Sequence, residues 1–139
     1  TVAEFEQYKG KLPELVARRC AHVIYENQRV LDSVAALKAK DVAKFGQLMY
    51  ESHVSLRDLY EVSCKELDIM VELAQKVDGV VGARMTGAGF GGCTVNLVRA
   101  DAVDGFVEQV SKEYQAKTQI TPEIYVSTAR DGAAQLKVE

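Results

Sequence analysis

The sequence predicts an α+β domain in which a small antiparallel sheet is covered by helices. Apolar residues of the first half recur every three or four positions, which is typical of amphipathic helices. In the second half, short β-branched runs lie between glycines, which favours strands. A chain of 139 residues suits one domain. Within 1–139 we therefore expect a helical part at 1–78 and a ββαβ part at 79–139.

Helix boundaries in the first half are predicted from capping residues. A short first helix is expected to end at Gly10, and a long helix follows with one apolar stripe. Two further helices are expected after polar breaks in the pattern. The predicted starts and stops are Thr1 with Glu4, Pro13 to Ala39, Asp41, Ser63 with Glu66, and Asp78–Gly79.

The second half predicts strands at Val80–Met85 and Cys93–Val98. Asp101 is the expected cap of a further helix. A third strand is predicted at Ile124–Ser127, after Pro122, and a fourth at Leu136–Val138. The order of elements favours helices packed on an antiparallel sheet.

Bulk composition excludes several classes of function. A formal charge of −3 and a pI near 5.5 argue against nucleic-acid or anionic-membrane partners, which require a basic face. No apolar run approaches the roughly 18 residues of a membrane span, and no signal peptide is seen. Three unpaired cysteines without a CxxC, and only two histidines, disfavour a structural zinc site and favour a reducing, cytoplasmic location. Because the sequence starts at Thr1, we expect a piece of a longer protein.

A glycine-rich stretch between the first two predicted strands is the main candidate site. Gly87, Gly89 and Gly92 form a GxGxxG, but a dinucleotide fingerprint must open a helix and here a strand follows. A P-loop also fails, since no Gly-Lys-Ser/Thr follows. Two interpretations stay open: a plain hairpin turn, or a loop whose backbone N–H groups line a phosphate or sugar site formed mostly elsewhere.

Other polar residues carry less weight. Ser52, His53 and Asp58 lie on one predicted helix and point in different directions, so we expect hydrogen-bonded helix-surface groups rather than a triad. Arg84 is kept as a phosphate candidate because it flanks the glycines. Cys93 is expected to be a strand residue, since no base is placed for it.

Charged clusters elsewhere are expected to be structural. We expect Arg18, Arg19 and His22 to pair with Glu14 or Glu26 rather than to bind phosphate. Glu61, Glu66 and Asp68 are expected to cap helices or lie on solvated faces, because no convergence of metal ligands is evident.

Three separated stretches resemble galactokinases of the GHMP small-molecule kinase superfamily. Gly82–Val95 is similar to the family's C-terminal glycine-rich motif, and Arg18–Val30 to the helix that begins this part. Ser52–Asp58 is also similar, continuing through Tyr60–Cys64 and Glu66–Asp68. Departures occur at Ala88, where the family often has Gly, at Leu59, often Asp, and at Lys65, often Pro.

The resemblance implies a ferredoxin-like GHMP kinase C-terminal domain. The family's reaction transfers the γ-phosphoryl group of ATP to the C1 hydroxyl of galactose, with Mg²⁺. Its sugar-binding domain and phosphate-binding loop are not in these 139 residues, so an N-terminal domain is an implied partner. The family fold begins with a strand, whereas this sequence is predicted to begin with helices, so whether the first strand is missing stays open. A missing strand would expose sheet edges or a core face and favour self-association.

The resemblance assigns no catalytic residue and no metal ligand to this chain, so we expect it to be inactive alone. Another GHMP sugar kinase, such as one for N-acetylgalactosamine, stays open, as does a free-standing non-catalytic ligand-binding module. The residues expected near phosphate are Thr86, Gly87, Ala88, Gly89, Phe90, Gly91 and Gly92, with Arg84 and Met85 behind them.

Overall fold

The computed structural model describes residues 1–129 and 132, and it contains five α-helices and two strands in that range. A π-helical turn at Leu56–Tyr60 continues α3, and short 3₁₀ turns lie at Lys9–Lys11 and Ala100–Ala102. The elements in chain order are α1 (Val2–Tyr8), α2 (Glu14–Lys38), α3 (Val42–Ser55), α4 (Lys65–Gln75), β1 (Val80–Thr86), β2 (Cys93–Val98) and α5 (Val103–Thr118).

Two of the predicted caps are confirmed. The Thr1 hydroxyl accepts from the Glu4 N–H and the Glu4 carboxylate returns to the Thr1 backbone, which makes a capping box at α1. At α3, the Asp41 carboxylate accepts from the Lys44 N–H at 2.9 Å. These caps satisfy N–H groups that a helix start leaves without a partner.

Two other predicted caps are wrong. Helix α4 begins after Cys64, and the Ser63 hydroxyl instead donates to Asp68 at 2.6 Å. Asp101 lies inside the 3₁₀ turn and pairs with Arg99, so α5 begins at Val103 without a side-chain cap. In both places a charged side chain nearby in sequence binds the side chain that was expected to cap the helix backbone.

The sheet is an antiparallel pair in which β1 and β2 exchange a ladder from Val80↔Val98 to Thr86↔Cys93, with an irregularity between Val80 and Gly82. Residues of α4, of the segment that follows it, of β1 and of α5 form a buried core cluster. They pack through apolar side chains spaced by one helical turn on each helix. The members are Val71, Ala74, Val77, Ala83, Phe106 and Val110.

Helix α3 meets the backbone of β1 directly. A Cβ on Gly46 would overlap the Val81 carbonyl, and one on Gly82 would lie 2.7 Å from the Gly46 Cα. Both positions therefore require glycine, since a real Cβ does not approach so closely. This contact sets the distance of α3 from the strand that leads into the glycine-rich stretch.

The third strand predicted at Ile124–Ser127 is wrong. The chain at 121–129 joins neither β1 nor β2, and Tyr125 is 85% exposed. A strand needs a neighbouring ladder for its backbone groups, and β-branched composition alone does not supply one. The predicted fourth strand, Leu136–Val138, lies outside the described residues.

The apolar stripe of α2 is largely uncovered within the described part of the chain. Val30 is 56% exposed, and similar exposure extends along the helix. Side chains of this type are normally buried against a second layer. The exposed members on α2 are Leu15, Val16, Val23, Val30, Leu31, Val34 and Leu37.

Candidate functional site

The glycine loop, defined as Thr86–Gly92, joins β1 to β2. The pairs Met85↔Thr94 and Thr86↔Cys93 close the ladder beneath it, so the loop is the end of a β-hairpin. Its backbone has positive φ at Gly87 and then at three successive residues, Gly89, Phe90 and Gly91. Phe90 is 73% exposed at the tip. The hairpin-turn interpretation is therefore correct for the backbone, but the conformation is far from an ordinary two-residue turn.

Close approach of another segment explains the glycine at position 89. A Cβ there would overlap the Val62 carbonyl and lie 2.8 Å from Met85 Cε, and φ is +85°. The Val62 carbonyl also accepts from the Phe90 N–H at 2.9 Å. The loop is thus pressed against the connection that precedes α4, as expected where bare Cα atoms let a second segment pack closely.

Four loop amides have no acceptor among the residues that the structure describes. Within Gly87–Gly92, the Phe90 N–H is taken by Val62 and the Gly92 N–H reaches Gly89 O at 3.3 Å. Exposed backbone N–H groups in successive turn-like conformations make a concavity that binds anions. The available amides are those of Gly87, Ala88, Gly89 and Gly91.

His53 of α3 supports the start of the loop. Its Nδ1 accepts from the Met85 N–H at 3.3 Å, and its Nε2 lies 3.2 Å from Asp68 Oδ1. Ser52 and His53 are buried rather than on the helix surface as predicted, and Asp58 pairs with its neighbour Arg57. Burial lowers the pKa of His53, while the Asp68 carboxylate opposes that effect. No triad forms, but His53 contacts the candidate site.

Arg84 lies in a mixed charge cluster below the loop. Its Nε donates to the Met85 carbonyl at 2.9 Å, and Nη1 is 3.6 Å from Glu26 Oε1. Glu26 also pairs with Arg29 and accepts from the Ser52 hydroxyl. The positive charge of Arg84 is therefore partly balanced by Glu26, and its role toward phosphate stays a prediction.

The predicted partners of the basic cluster on α2 are wrong. Arg18 and Arg19 both pair with Glu61, which follows the π-helical turn with φ of +58°. Those pairs lower the pKa of Glu61, and Arg19 contributes first. His22 bonds the Ser55 hydroxyl at 2.9 Å and stacks on Tyr60. The basic residues thus fix the segment that carries Val62, rather than a ligand.

The residues that sequence reasoning missed are in this connection. Val62 acts through its backbone carbonyl, which no side-chain pattern reveals. Glu61 occupies a left-handed conformation that is unusual for a non-glycine residue, so composition does not predict a turn there. A π-helical turn is rare and often found near functional sites, and it has no sequence signature at Leu56–Tyr60.

An apolar groove opens beside the loop between α2, α3 and the sheet, with a volume of about 480 Å³. Its lining mixes apolar and polar side chains, with Arg84 and Thr86 at the loop end. The polar lining residues are Glu26, Arg29, Ser33, Ser52, Arg84, Thr86 and Asn96. The aliphatic and aromatic lining residues are Val30, Val34, Leu37, Phe45, Leu48, Met49, Val95 and Leu97.

The described residues were also compared with the requirements of a metal site and of a membrane-spanning helix. In the part of the chain that the structure describes, no cluster of three or more His, Cys, Asp or Glu side chains could hold a metal ion. No helix in that part combines the length and apolarity that crossing a membrane requires.

The fold and the hairpin site define the class. Residues 33–116 match the sequence model of the family described as GHMP kinases C terminal, and the chain belongs to that family. The α+β fold predicted from sequence is confirmed at this level.

More particular similarities point to one branch of that family. The chain is 50% identical over 137 residues to a galactokinase of Clostridium beijerinckii and 47% identical over 122 residues to one of Bacillus subtilis. These alignments cover 98% and 88% of the chain but 35% and 31% of the relatives, so the chain spans about a third of their length.

Solved structures agree with this placement. The Lactococcus lactis galactokinase complexed with galactose superposes with a TM-score of 0.83 at 42% identity, over 87% of this chain and 31% of that one. Mevalonate kinase of L. major, in complex with R-mevalonate, gives a TM-score of 0.60 at 28% identity, covering 81% of this chain and 33% of that one. The likeness is to the C-terminal third of galactokinases.

Proposed function

We propose that this chain is the C-terminal domain of a galactokinase, in which it supports transfer of the γ-phosphoryl group of ATP to the C1 hydroxyl of galactose. The observation that carries the proposal is 50% identity to a galactokinase over 98% of the chain. Magnesium and ATP are the cofactors of the whole enzyme in this proposal, and galactose is its substrate. The free thiols of Cys20, Cys64 and Cys93 favour the reducing cytoplasm as its location.

The glycine loop is proposed to form one wall of the phosphate site. Its free amides, those of Gly87, Ala88, Gly89 and Gly91, supply hydrogen-bond donors to anionic oxygens without a charged side chain. Phosphoryl transfer depends on positioning and on neutralising charge, so a rigid set of donors can contribute without a nucleophile or base. The remaining walls, including any metal ligand and any base, belong to a partner domain of the same polypeptide.

The apolar groove and the exposed stripe of α2 are proposed to pack against that partner domain. They expose many neighbouring aliphatic side chains, including Val30 and Leu31, and such patches mark surfaces that bind another protein or domain. Without the partner domain, the same face is expected to drive self-association of the chain. We therefore expect the 139-residue polypeptide to have no kinase activity by itself.

The first experiment assays the complete gene product that contains this chain and the chain alone. ADP release with Mg·ATP is measured with galactose and, as the competing sugar, with N-acetylgalactosamine. We expect turnover on galactose by the complete product only. A preference for N-acetylgalactosamine would reassign the substrate, and turnover by the isolated chain would overturn its assignment as a supporting domain.

A second experiment tests the loop. Gly89→Ala in the complete product should raise KM for ATP or lower kcat by about 100-fold, because displacement of positioned groups by about 1 Å has effects of that size. Gly105→Ala in α5 is the matched control, since Gly105 lies outside the loop and a methyl group added there would meet no atom within 4 Å. Equal activity of Gly89→Ala and the unaltered enzyme would contradict a role for the loop.

A further inference from the structure

The glycine loop is attached to the rest of the domain at two points. The first is the Met85 N–H, which donates to His53 Nδ1 at 3.3 Å just before the loop begins. The second is the Phe90 N–H, which donates to the Val62 carbonyl at 2.9 Å in the middle of the loop. Met85 is fully buried, so its amide has no water to replace the histidine.

The first attachment depends on one tautomer of His53. An Nδ1 that accepts from Met85 must be unprotonated, which places the ring hydrogen on Nε2. Nε2 faces Asp68 Oδ1 at 3.2 Å, so the carboxylate favours that tautomer. Asp68 Oδ1 also accepts from the Ser63 hydroxyl at 2.6 Å, which holds the carboxylate in place.

The two attachments belong to one network. Ser63, which orients Asp68, is the residue after Val62, which binds Phe90. The network therefore runs from the start of the loop through α3 and α4 to the connection that holds its middle. Asp68 on α4 and Arg57 and Asp58 on the π-helical turn are the charged groups around the ring, and from β1 it meets the Met85 amide.

We propose that His53 is a positioning residue for the glycine loop: its neutral ring holds the Met85 amide, and Asp68, oriented by Ser63, keeps the ring in the accepting tautomer. Protonation of Nδ1 would set an N–H against the Met85 N–H and release the loop from α3. The attachment can be tested without any assumption about catalysis. Its expected effect on the KM for ATP rests on the proposed function.

Buried surroundings make the neutral ring the resting form. His53 is 3% exposed, and burial lowers its pKa below the ordinary 6.5. The Asp68 carboxylate raises the pKa against that effect, and Arg57 lowers it. Release of the loop is accordingly expected only at acid pH.

The test uses the complete gene product and measures hydrogen exchange of the peptides that span Met85 and Phe90. His53→Leu should exchange about tenfold faster at Met85, as for loss of one hydrogen bond at a buried group. His53→Asn, whose amide oxygen can stand near the Nδ1 position, should restore part of the protection. His22→Leu is the matched control, because His22 is the other buried histidine and bonds Ser55 instead of β1.

The pH dependence separates positioning from a merely structural role. In the unaltered protein, Met85 exchange, corrected for the intrinsic effect of pH, should rise as pH falls through the pKa of His53. Asp68→Asn removes the carboxylate that raises this pKa, so the midpoint should move to lower pH. His53→Asn should abolish the transition, because asparagine does not titrate. The substitution changes the side-chain volume little, so we expect the variant to fold.

The outcomes are distinct. Equal Met85 protection in His53→Leu and His22→Leu, or an unchanged midpoint in Asp68→Asn, overturns the positioning role. The full proposal expects faster Met85 exchange in His53→Leu together with about a tenfold rise in KM for ATP, which is about 1.4 kcal/mol. Faster exchange with an unchanged KM keeps the attachment and contradicts the proposed phosphate role of the loop.

Discussion

At the scale of residues, the shape of the candidate site depends on the absence of a Cβ atom at Gly89. Its φ of +85° disfavours a side chain, and the Val62 carbonyl beside it excludes one. A left-handed conformation alone costs a non-glycine residue about 1–2 kcal/mol, and overlap with a backbone oxygen adds to that. Gly87 has the positive φ without the overlap, so the two glycines separate the two effects.

We therefore expect Gly89→Ala to lower the free energy of unfolding by about 2–4 kcal/mol and Gly87→Ala by about 1 kcal/mol. The larger cost arises because Val62 is backbone and cannot rotate away. Urea denaturation of both variants in the same protein measures the difference. Equal losses would mean that the loop moves off Val62 without resistance.

The buried histidines predict a stability that depends on pH. Burial lowers the pKa of both His22 and His53 below the ordinary 6.5, so in the window beneath that value the unfolded chain binds more protons than the folded one. Their contribution is complete above pH 6.5 and is lost as pH falls through the lowered pKa values. The free energy of unfolding should accordingly drop from about pH 7 to about pH 5.

Denaturant titrations at closely spaced pH values measure this dependence. His53→Asn should flatten the curve between about pH 7 and about pH 5, since one of the two titrating groups is gone. Asp58 and Glu61 have lowered pKa values, so their losses occur below about pH 4.5 and do not overlap this window. If the free energy of unfolding of His53→Asn fell with pH as steeply as that of the unaltered protein, His53 would not be one of the titrating groups.

At the scale of elements, the glycine contact between α3 and β1 positions His53 over the strand. Gly46 lies inside a helix, where alanine is normally favoured by about 1 kcal/mol. Here a methyl group would overlap the Val81 carbonyl. Packing should therefore reverse the sign of the usual preference.

Gly46→Ala is expected to lower the free energy of unfolding by about 1–3 kcal/mol, the usual cost of overpacking. Gly105→Ala is the matched control, because Gly105 is an exposed helical glycine in α5 with nothing within 4 Å. That change should raise the free energy of unfolding by about 0.5–1 kcal/mol. Urea denaturation compares the two, and a stabilising Gly46→Ala would show that α3 is not seated on β1.

At the scale of the whole molecule, α2 and the groove beside the sheet form an exposed apolar face. Val30 is 56% and Leu31 63% exposed, and the groove that Val30 lines carries further apolar side chains beside polar ones such as Arg29 and Asn96. Exposed apolar patches of this extent mark surfaces that bind protein. This face is the reason to expect that the chain behaves differently alone and within a longer polypeptide.

We expect the isolated chain to sediment as a species heavier than its 15.3 kDa monomer at concentrations of tens of micromolar and above. Val30→Lys with Val34→Lys should shift it toward monomer. Gln28→Lys with Ala35→Lys adds the same charge to α2 at residues that do not line the groove. A chain that is monomeric throughout, or a control that dissociates equally, would contradict the role of this face.

Prediction from sequence succeeded where the physics is local. The caps at Thr1 and Asp41, the bounds of α2 and the positions of β1 and β2 follow from periodicity and capping within a few residues of each element. It failed where a side chain bonded another side chain instead of a helix backbone, and where a strand needed a neighbouring strand. Ser63 turns to Asp68 instead of capping α4, and Ile124–Ser127 has strand composition without a ladder to join.

The candidate site likewise has features that the sequence predicts and features that depend on distant contacts. The sequence by itself determined that a glycine-rich hairpin lies between two strands, because glycine content and β-branched runs are properties of neighbouring residues. Only the tertiary structure decided that the Val62 carbonyl presses on Gly89 and that His53 holds Met85. These contacts join residues about 27 and 32 positions apart and involve backbone groups that every residue carries. No pattern of side chains specifies which carbonyl or amide will meet, so the close packing of the folded chain decides it.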